Sequence, residues 1–167
     1  PHWYAPFTGN NHTIHIPINA VGLDIGIGDY LGVFYDSSGV PACGGYVRWE
    51  GSNTALSAWG DDGLTIEKDG FDDLETFTWR IWDVTNGYTY PAVATYDVSY
   101  QNIDAYEENG ISGLLSIGFD PSSVDTQYIA LNQNWNIIST YIDVLAPSDS
   151  VVNVFANIMS DLIIIKD

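Results

Sequence analysis

Apolar and polar residues alternate with a period of two along much of the chain. The pattern is clearest in residues 13–19, where Ile14, Ile16 and Ile18 fall on one face and Thr13 and His15 on the other. This spacing is typical of a half-buried β-strand. Because proline has no amide hydrogen to donate to a ladder, Pro17 predicts that the strand ends there or lies at a sheet edge.

Similar β patterning recurs in residues 30–35, 46–50, 75–84, 92–100, 113–119, 127–131 and 135–145. Turn signals rich in Gly, Asn and Asp separate several of these runs, at residues 26–29, 36–39, 60–63, 86–87 and 109–110. Many short strands joined by such turns predict a mainly β fold, in particular a β-sandwich of the jelly-roll or Ig-like type.

One segment near the C-terminus has helical spacing. In residues 148–159 apolar side chains recur every three or four positions, and Ser148 can cap the first turn. We therefore expect one short amphipathic helix there. The length of 167 residues fits one domain. We expect residues 1–167 to form a single β-sandwich module, which could be part of a longer secreted protein.

Charge narrows the choice of partners. The chain has 22 acidic and 4 basic residues, a formal net charge of −18. Such a surface repels phosphate backbones and anionic lipid headgroups, so we expect neither nucleic-acid binding nor membrane insertion. It suits solubility at high salt, or the binding of a hard cation such as Ca²⁺.

The acidic stretch of residues 59–73 is the strongest local signal for a cation. Carboxylates on its glycine-bearing loops could converge on Ca²⁺, which would relieve their mutual repulsion. The spacing does not match an EF-hand, and capped turns on a solvated acidic surface are the simpler interpretation. The predicted calcium ligands are Asp61, Asp62, Asp69, Asp72 and Asp73.

No set of catalytic residues stands out. The glutamates are dispersed along the chain, and no Gly-x-Ser-x-Gly motif is present. His12 and His15 would point to opposite faces of a strand, which argues against a zinc site with His2. Cys43, the single cysteine, has no nearby histidine in sequence to activate it, and we interpret it as a small buried residue.

Aromatic residues raise a carbohydrate-binding hypothesis. The chain has 6 Trp and 11 Tyr, and sugars stack on exposed aromatic rings. In residues 76–83, strand alternation places Trp79 in the core and puts Trp82 beside Arg80 on the opposite face. Trp82, Arg80 and Trp59 are therefore the predicted ligand-binding residues.

Several segments together resemble β-rich modules of secreted and surface proteins of the Bacteroidota, often exported by the type IX system and sometimes attached to adhesins or hydrolases. The resemblance is carried by residues 28–34, 43–49, 58–62, 68–71, 75–83, 110–113 and 135–140. It implies a secreted or cell-surface location and a non-catalytic role, and it brings no catalytic residues.

The apolar run Leu162, Ile163, Ile164 and Ile165 suggests an assembly role. An unpaired strand of this kind could join a neighbouring subunit or module, linking copies head to tail. We therefore expect a non-catalytic extracellular module, acting in cell-surface adhesion or as a structural subunit of a surface filament. The alternative is a carbohydrate-binding module attached to a secreted hydrolase. An enzyme is the third hypothesis.

Overall fold

A computed structural model of the chain describes residues 1–122. They form seven strands and one short 3-10 turn: β1 (Asn11–Ile16), the turn (Ile18–Ala20), β2 (Tyr30–Ser37), β3 (Val40–Arg48), β4 (Thr54–Trp59), β5 (Thr78–Asp83), β6 (Tyr88–Tyr96) and β7 (Ile111–Phe119). The prediction of a mainly β fold is confirmed. The predicted helix at 148–159, the strands at 127–131 and 135–145, and residues 162–165 lie outside the described residues.

The seven strands form one continuous sheet in the order β3-β2-β5-β6-β7-β1-β4. Neighbouring strands are antiparallel, except for the parallel pair β1 and β7. The edge strands β3 and β4 approach each other closely, since a Cβ built on Gly45 of β3 would lie 2.1 Å from the carbonyl oxygen of Ser57 of β4. The sheet is therefore nearly closed and barrel-like.

The core lies inside this curved sheet and follows the strand alternation. Ile14 and Ile16 of β1 are fully buried, as the period-two pattern predicts. Trp79 of β5 is buried with them, and Trp82 lies on the other side of that strand, also as predicted. Phe71 stacks on the Tyr106 ring with a centroid separation of 5.8 Å, closing one end of the core.

The structure tests two parts of the β1 prediction, where the strand ends and on which face Ile18 lies. The strand ends at Ile16, directly before Pro17, but it pairs with β4 on one side and β7 on the other. The prediction that the strand ends at Pro17 is therefore confirmed, and β1 is an inner strand of the sheet. Ile18 leaves the buried face because it falls in the 3-10 turn, where it is 53% exposed.

The predicted turn at residues 36–39 joins β2 to β3. Ser38 and Gly39 both have positive φ, 57° and 87°. Positive φ at both central residues is the requirement of a type I′ hairpin turn, whose twist matches that of the flanking strands. Among residues 1–122 no helix is long and apolar enough to cross a membrane.

Candidate functional site

Aromatic residues cover the outer side of the sheet across β2, β3 and β5. Trp82 and Arg80 occupy alternate positions of β5 that point away from the core. Arg80 lies opposite Gly32 of β2, and Gly32 lies opposite Tyr46 of β3. The structure thus brings Trp82 and Arg80 together, as predicted. The outer aromatic face consists of Gly32, Phe34, Tyr46, Arg80 and Trp82.

Residues 1–9, the aromatic segment, run over this face and seat Trp3 on Gly32. A Cβ at Gly32 would lie only 2.8 Å from ring carbon Cζ3 of Trp3, so the missing side chain forms a slot for the indole. The Trp3 ring meets Phe34 edge-on at 5.3 Å between centroids and Tyr46 at 6.2 Å. Phe34 is only 6% exposed although it points away from the core cluster. Trp3 therefore covers the centre of the face.

The two predicted sugar-binding tryptophans both contact this segment. The His2 ring lies 6.1 Å from Trp82, and the Phe7 ring lies 4.5 Å from Trp59. Trp59 is the last residue of β4. In the strand order, β4 and β3 are the two end strands of the sheet. The sequence did not reveal a role for residues 1–9, because their apolar and polar residues do not alternate with the period of a strand or a helix.

The aromatic segment is held by side chains. Within residues 1–122 no backbone hydrogen bond joins residues 1–9 to a strand. The first backbone link follows at Asn10, whose carbonyl oxygen accepts from the Gly60 amide at 2.9 Å. A segment without a backbone ladder is held by side-chain packing, in which its aromatic ring contacts take a large part.

The acidic stretch folds around one cation, Lys68. Its Nζ lies 2.8 Å from Asp72 and 2.7 Å from Glu75. Burial lowers the pKa of Lys68, but hydrogen bonds and charge from those two carboxylates outweigh it, and the pKa is raised. Lys68 is thus a charged partner of Asp72, one of the predicted calcium ligands.

The other predicted ligands lie apart from that ion pair. The Asp61 Oδ1 atom accepts from the Asp69 amide at 3.3 Å, and Asp62 caps the amide of Leu64. Burial raises the pKa of Asp69, and a hydrogen bond to Asp61 and nearby negative charge raise it further. Among the described residues no three His, Cys, Asp or Glu side chains form a group that could hold a metal ion. Calcium binding stays a prediction.

An acidic pocket of about 460 Å³ opens beside this stretch. Its lining is Asn10, Asp61, Phe71, Asp72, Asp73, Tyr106, Glu107 and Glu108. Five carboxylates that are dispersed along the sequence thus line one pocket of the folded chain. Only the folded loops bring Glu107 and Glu108 to Asp61, so no sequence spacing could have shown it.

Tyr106 forms part of the floor of the acidic pocket. The ring is 3% exposed, and its hydroxyl oxygen lies against Gly60, where an added Cβ would come within 2.1 Å. Burial raises the pKa of Tyr106, and the charge of Glu108 adds to that rise. The phenol is therefore a neutral, packed group.

His12 and Ser112 form a hydrogen-bonded pair in the interior. His12 Nε2 lies 2.8 Å from Ser112 Oγ, and Nδ1 lies 3.1 Å from the amide nitrogen and 3.2 Å from the carbonyl oxygen of Glu107. Both side chains have zero exposure. Burial lowers the pKa of His12, which favours the neutral ring. Neither side chain of this pair is accessible from the surface.

The remaining reactive groups are also structural. Cys43 is buried, as predicted, and burial raises its pKa to about 11, which keeps it a thiol at neutral pH. His15 lies on the face of β1 opposite His12, and its Nδ1 is 2.8 Å from the Tyr100 hydroxyl. The prediction that the two histidines face apart is confirmed.

Comparison with protein-family models, curated proteins and solved structures finds no match to this chain.

Proposed function

We propose that this chain is a non-catalytic, secreted module that assembles with copies of itself or with neighbouring modules at a cell surface. The observation that carries the proposal is the outer aromatic face, which the aromatic segment covers through side-chain contacts without a backbone hydrogen bond in the described residues. Extensive apolar surface on a soluble domain commonly marks a protein interface. The resemblance to Bacteroidota surface modules supports the location.

The interior polar groups support a non-catalytic role. A nucleophile and its base need a cleft in which a substrate can reach them. His12 and Ser112 have the distance of such a pair but zero exposure. The raised pKa of Cys43 removes the thiolate that a cysteine nucleophile requires.

A carbohydrate-binding module is the second candidate, and the position of Trp82 beside Arg80 favours it. Sugar would have to replace the ring contact that His2 makes with Trp82. Pull-down on insoluble polysaccharides tests this candidate: retention that Trp82→Ala or Trp59→Ala abolishes would favour it over assembly. The acidic pocket keeps an enzyme as the third candidate, which a hydrolytic activity lost in Glu107→Gln would revive.

Size-exclusion chromatography with light scattering tests the assembly proposal. We expect the apparent mass to rise with protein concentration, and to rise further when salt screens the net charge of −18. Calcium, if the acidic stretch binds it, should have a larger effect than sodium at equal ionic strength. A monomer of constant mass under all these conditions would overturn the proposal.

The finer fold class belongs with this proposal. We propose that the nearly closed sheet is a variant of the Ig-like or jelly-roll sandwich, in which β5, β2 and β3 would form one layer and β7, β1 and β4 the other; the sheet order, which keeps each of these sets together, supports the proposal. The parallel β1–β7 pair joins the second layer. An experimental structure of residues 1–167 tests this class, including the helix predicted at 148–159.

A further inference from the structure

We propose that the Gly32 slot is a docking site for the aromatic segment of a second copy of this chain, so that Trp3 of one molecule seats on the sheet of the next. The inference rests on the assembly function proposed above and names its contact. Exchange of an identical element between protomers is a low-cost route to oligomers, because the contacts made in one molecule are reproduced in the other.

The way the segment is held makes such an exchange feasible. Release of residues 1–9 breaks ring contacts but no backbone ladder within the described residues. The slot itself is preformed, since Gly32 lies in the middle of β2 and is paired on both sides, with Tyr46 of β3 and Arg80 of β5. An aromatic side chain inserted in a preformed pocket is the usual anchor of a protein interface.

Charge selects this surface over the rest of the molecule. Residues 1–10 contain no Asp, Glu, Lys or Arg, in a chain whose net charge is −18. Two of the four basic residues, Arg48 and Arg80, lie on the strands that flank β2. The segment therefore brings no carboxylate of its own to the slot, although Asp36 and Asp83 lie on β2 and β5 and Arg48 is paired with Glu50.

The contact is directional. Each copy carries one segment and one slot, so the exchange yields either a reciprocal dimer or an open head-to-tail chain. Arg80 stabilises the wall of the slot, because its guanidinium carbon lies 5.1 Å from the centre of the Phe34 ring that borders Trp3. The occupant is thus a tryptophan-bearing segment without Asp, Glu, Lys or Arg, which this chain itself provides.

A complementation experiment tests the inference. Trp3→Ala removes the anchor and leaves the slot, whereas Gly32→Leu fills the slot and leaves the segment. Tyr4→Ala, at a side chain 79% exposed in the same segment, and Gly118→Leu, at a glycine with no atom within 4 Å of an added Cβ, are the matched controls. Native mass spectrometry, with one chain isotope-labelled, distinguishes heterodimers from homodimers. Circular dichroism verifies that each variant is folded.

We expect the unmodified chain and both controls to associate, and each of the two test variants alone to associate roughly 30-fold more weakly, the effect of losing one interface anchor. Mixing the two should restore association as 1:1 heterodimers. Association of Trp3→Ala as tight as that of the unmodified chain would overturn the inference and leave the assembly function standing. A chain that never associates would overturn the assembly function itself.

A peptide measurement covers the case in which Gly32→Leu fails to fold. A fluorescent peptide of residues 1–10 is titrated with the full-length Trp3→Ala chain, beside the same peptide carrying Trp3→Ala. We expect saturable binding of the first peptide and at least about tenfold weaker binding of the second. Equal binding of the two peptides, or none by either, would contradict the proposed slot.

Discussion

Replacing Ser112 with alanine removes the hydrogen-bond partner of a histidine that has no contact with water. Ser112 Oγ lies 2.8 Å from His12 Nε2, and both residues have zero exposure. Water therefore has no route to replace the missing hydroxyl, and a ring nitrogen is left unsatisfied in the interior. The variant measures what this buried pair contributes to the fold.

An unsatisfied buried polar group lowers the free energy of unfolding by about 1–3 kcal/mol. The serine-to-alanine change removes one oxygen and leaves little cavity, so we expect a total near 2 kcal/mol. For a chain of this length that is a decrease of roughly 4–8 °C in Tm. Ser116→Ala is the matched control, because Ser116 lies on the same strand and is exposed. The control should change the free energy of unfolding by less than about 0.5 kcal/mol.

The pH dependence gives a second measure of the same site. Burial lowers the pKa of His12 below the 6.5 of an ordinary histidine. Because the unfolded chain then binds a proton at higher pH than the native one, the stability due to neutral His12 is complete above pH 6.5 and declines as the pH falls through the native pKa. NMR titration of the His12 ring should show a midpoint below that of an unfolded peptide.

Urea denaturation at several pH values, run on the unmodified chain, Ser112→Ala and Ser116→Ala, measures both effects. Loss of a similar small amount of stability in Ser112→Ala and Ser116→Ala would refute the argument from burial. An NMR midpoint for His12 at or above 6.5 would refute the assignment of a neutral, desolvated ring.

Three further predictions concern the core and the sheet closure. In urea denaturation, Gly45→Ala should lower the free energy of unfolding by about 1–3 kcal/mol, because an added Cβ meets the β4 backbone at 2.1 Å. The control Gly118→Ala, with open space around the added Cβ, should leave the free energy of unfolding nearly unchanged. Trp79→Phe should lower stability by about 1–2 kcal/mol in the same assay, because the indole donates to the Tyr96 hydroxyl at 2.7 Å in a buried site. Cys43, with a pKa raised to about 11, should react with a thiol reagent at pH 7.5 only as fast as the chain unfolds, and a reaction as fast as that of free cysteine would contradict its burial.

Strand alternation predicts most of the described sheet. The patterns around residues 13–19, 30–35 and 113–119 correspond to β1, β2 and β7, with boundaries that agree or differ by at most three residues. β4 is missing from the predictions, because its buried positions are Leu56 and Ala58, residues with little β preference. Burial against the rest of the sheet decides its conformation.

The candidate site is harder to predict from the sequence than the strands, because it depends on contacts between segments that are distant along the chain. Strand period correctly places Trp82 and Arg80 on one outer face. The strand period does not indicate what covers that face. Trp3 packs against Gly32, and a glycine is neither an apolar nor a polar position in the pattern. The acidic pocket is similar, since Glu107 reaches Asp61 only through loop geometry.

Sedimentation velocity of the unmodified chain, over a wide range of protein concentration and at low and high salt, tests the central claim most directly. A self-assembling module should show a sedimentation coefficient that increases with concentration, and more steeply at high salt, where the net charge of −18 is screened. A single boundary with the sedimentation coefficient of a monomer at every concentration and salt would contradict the account.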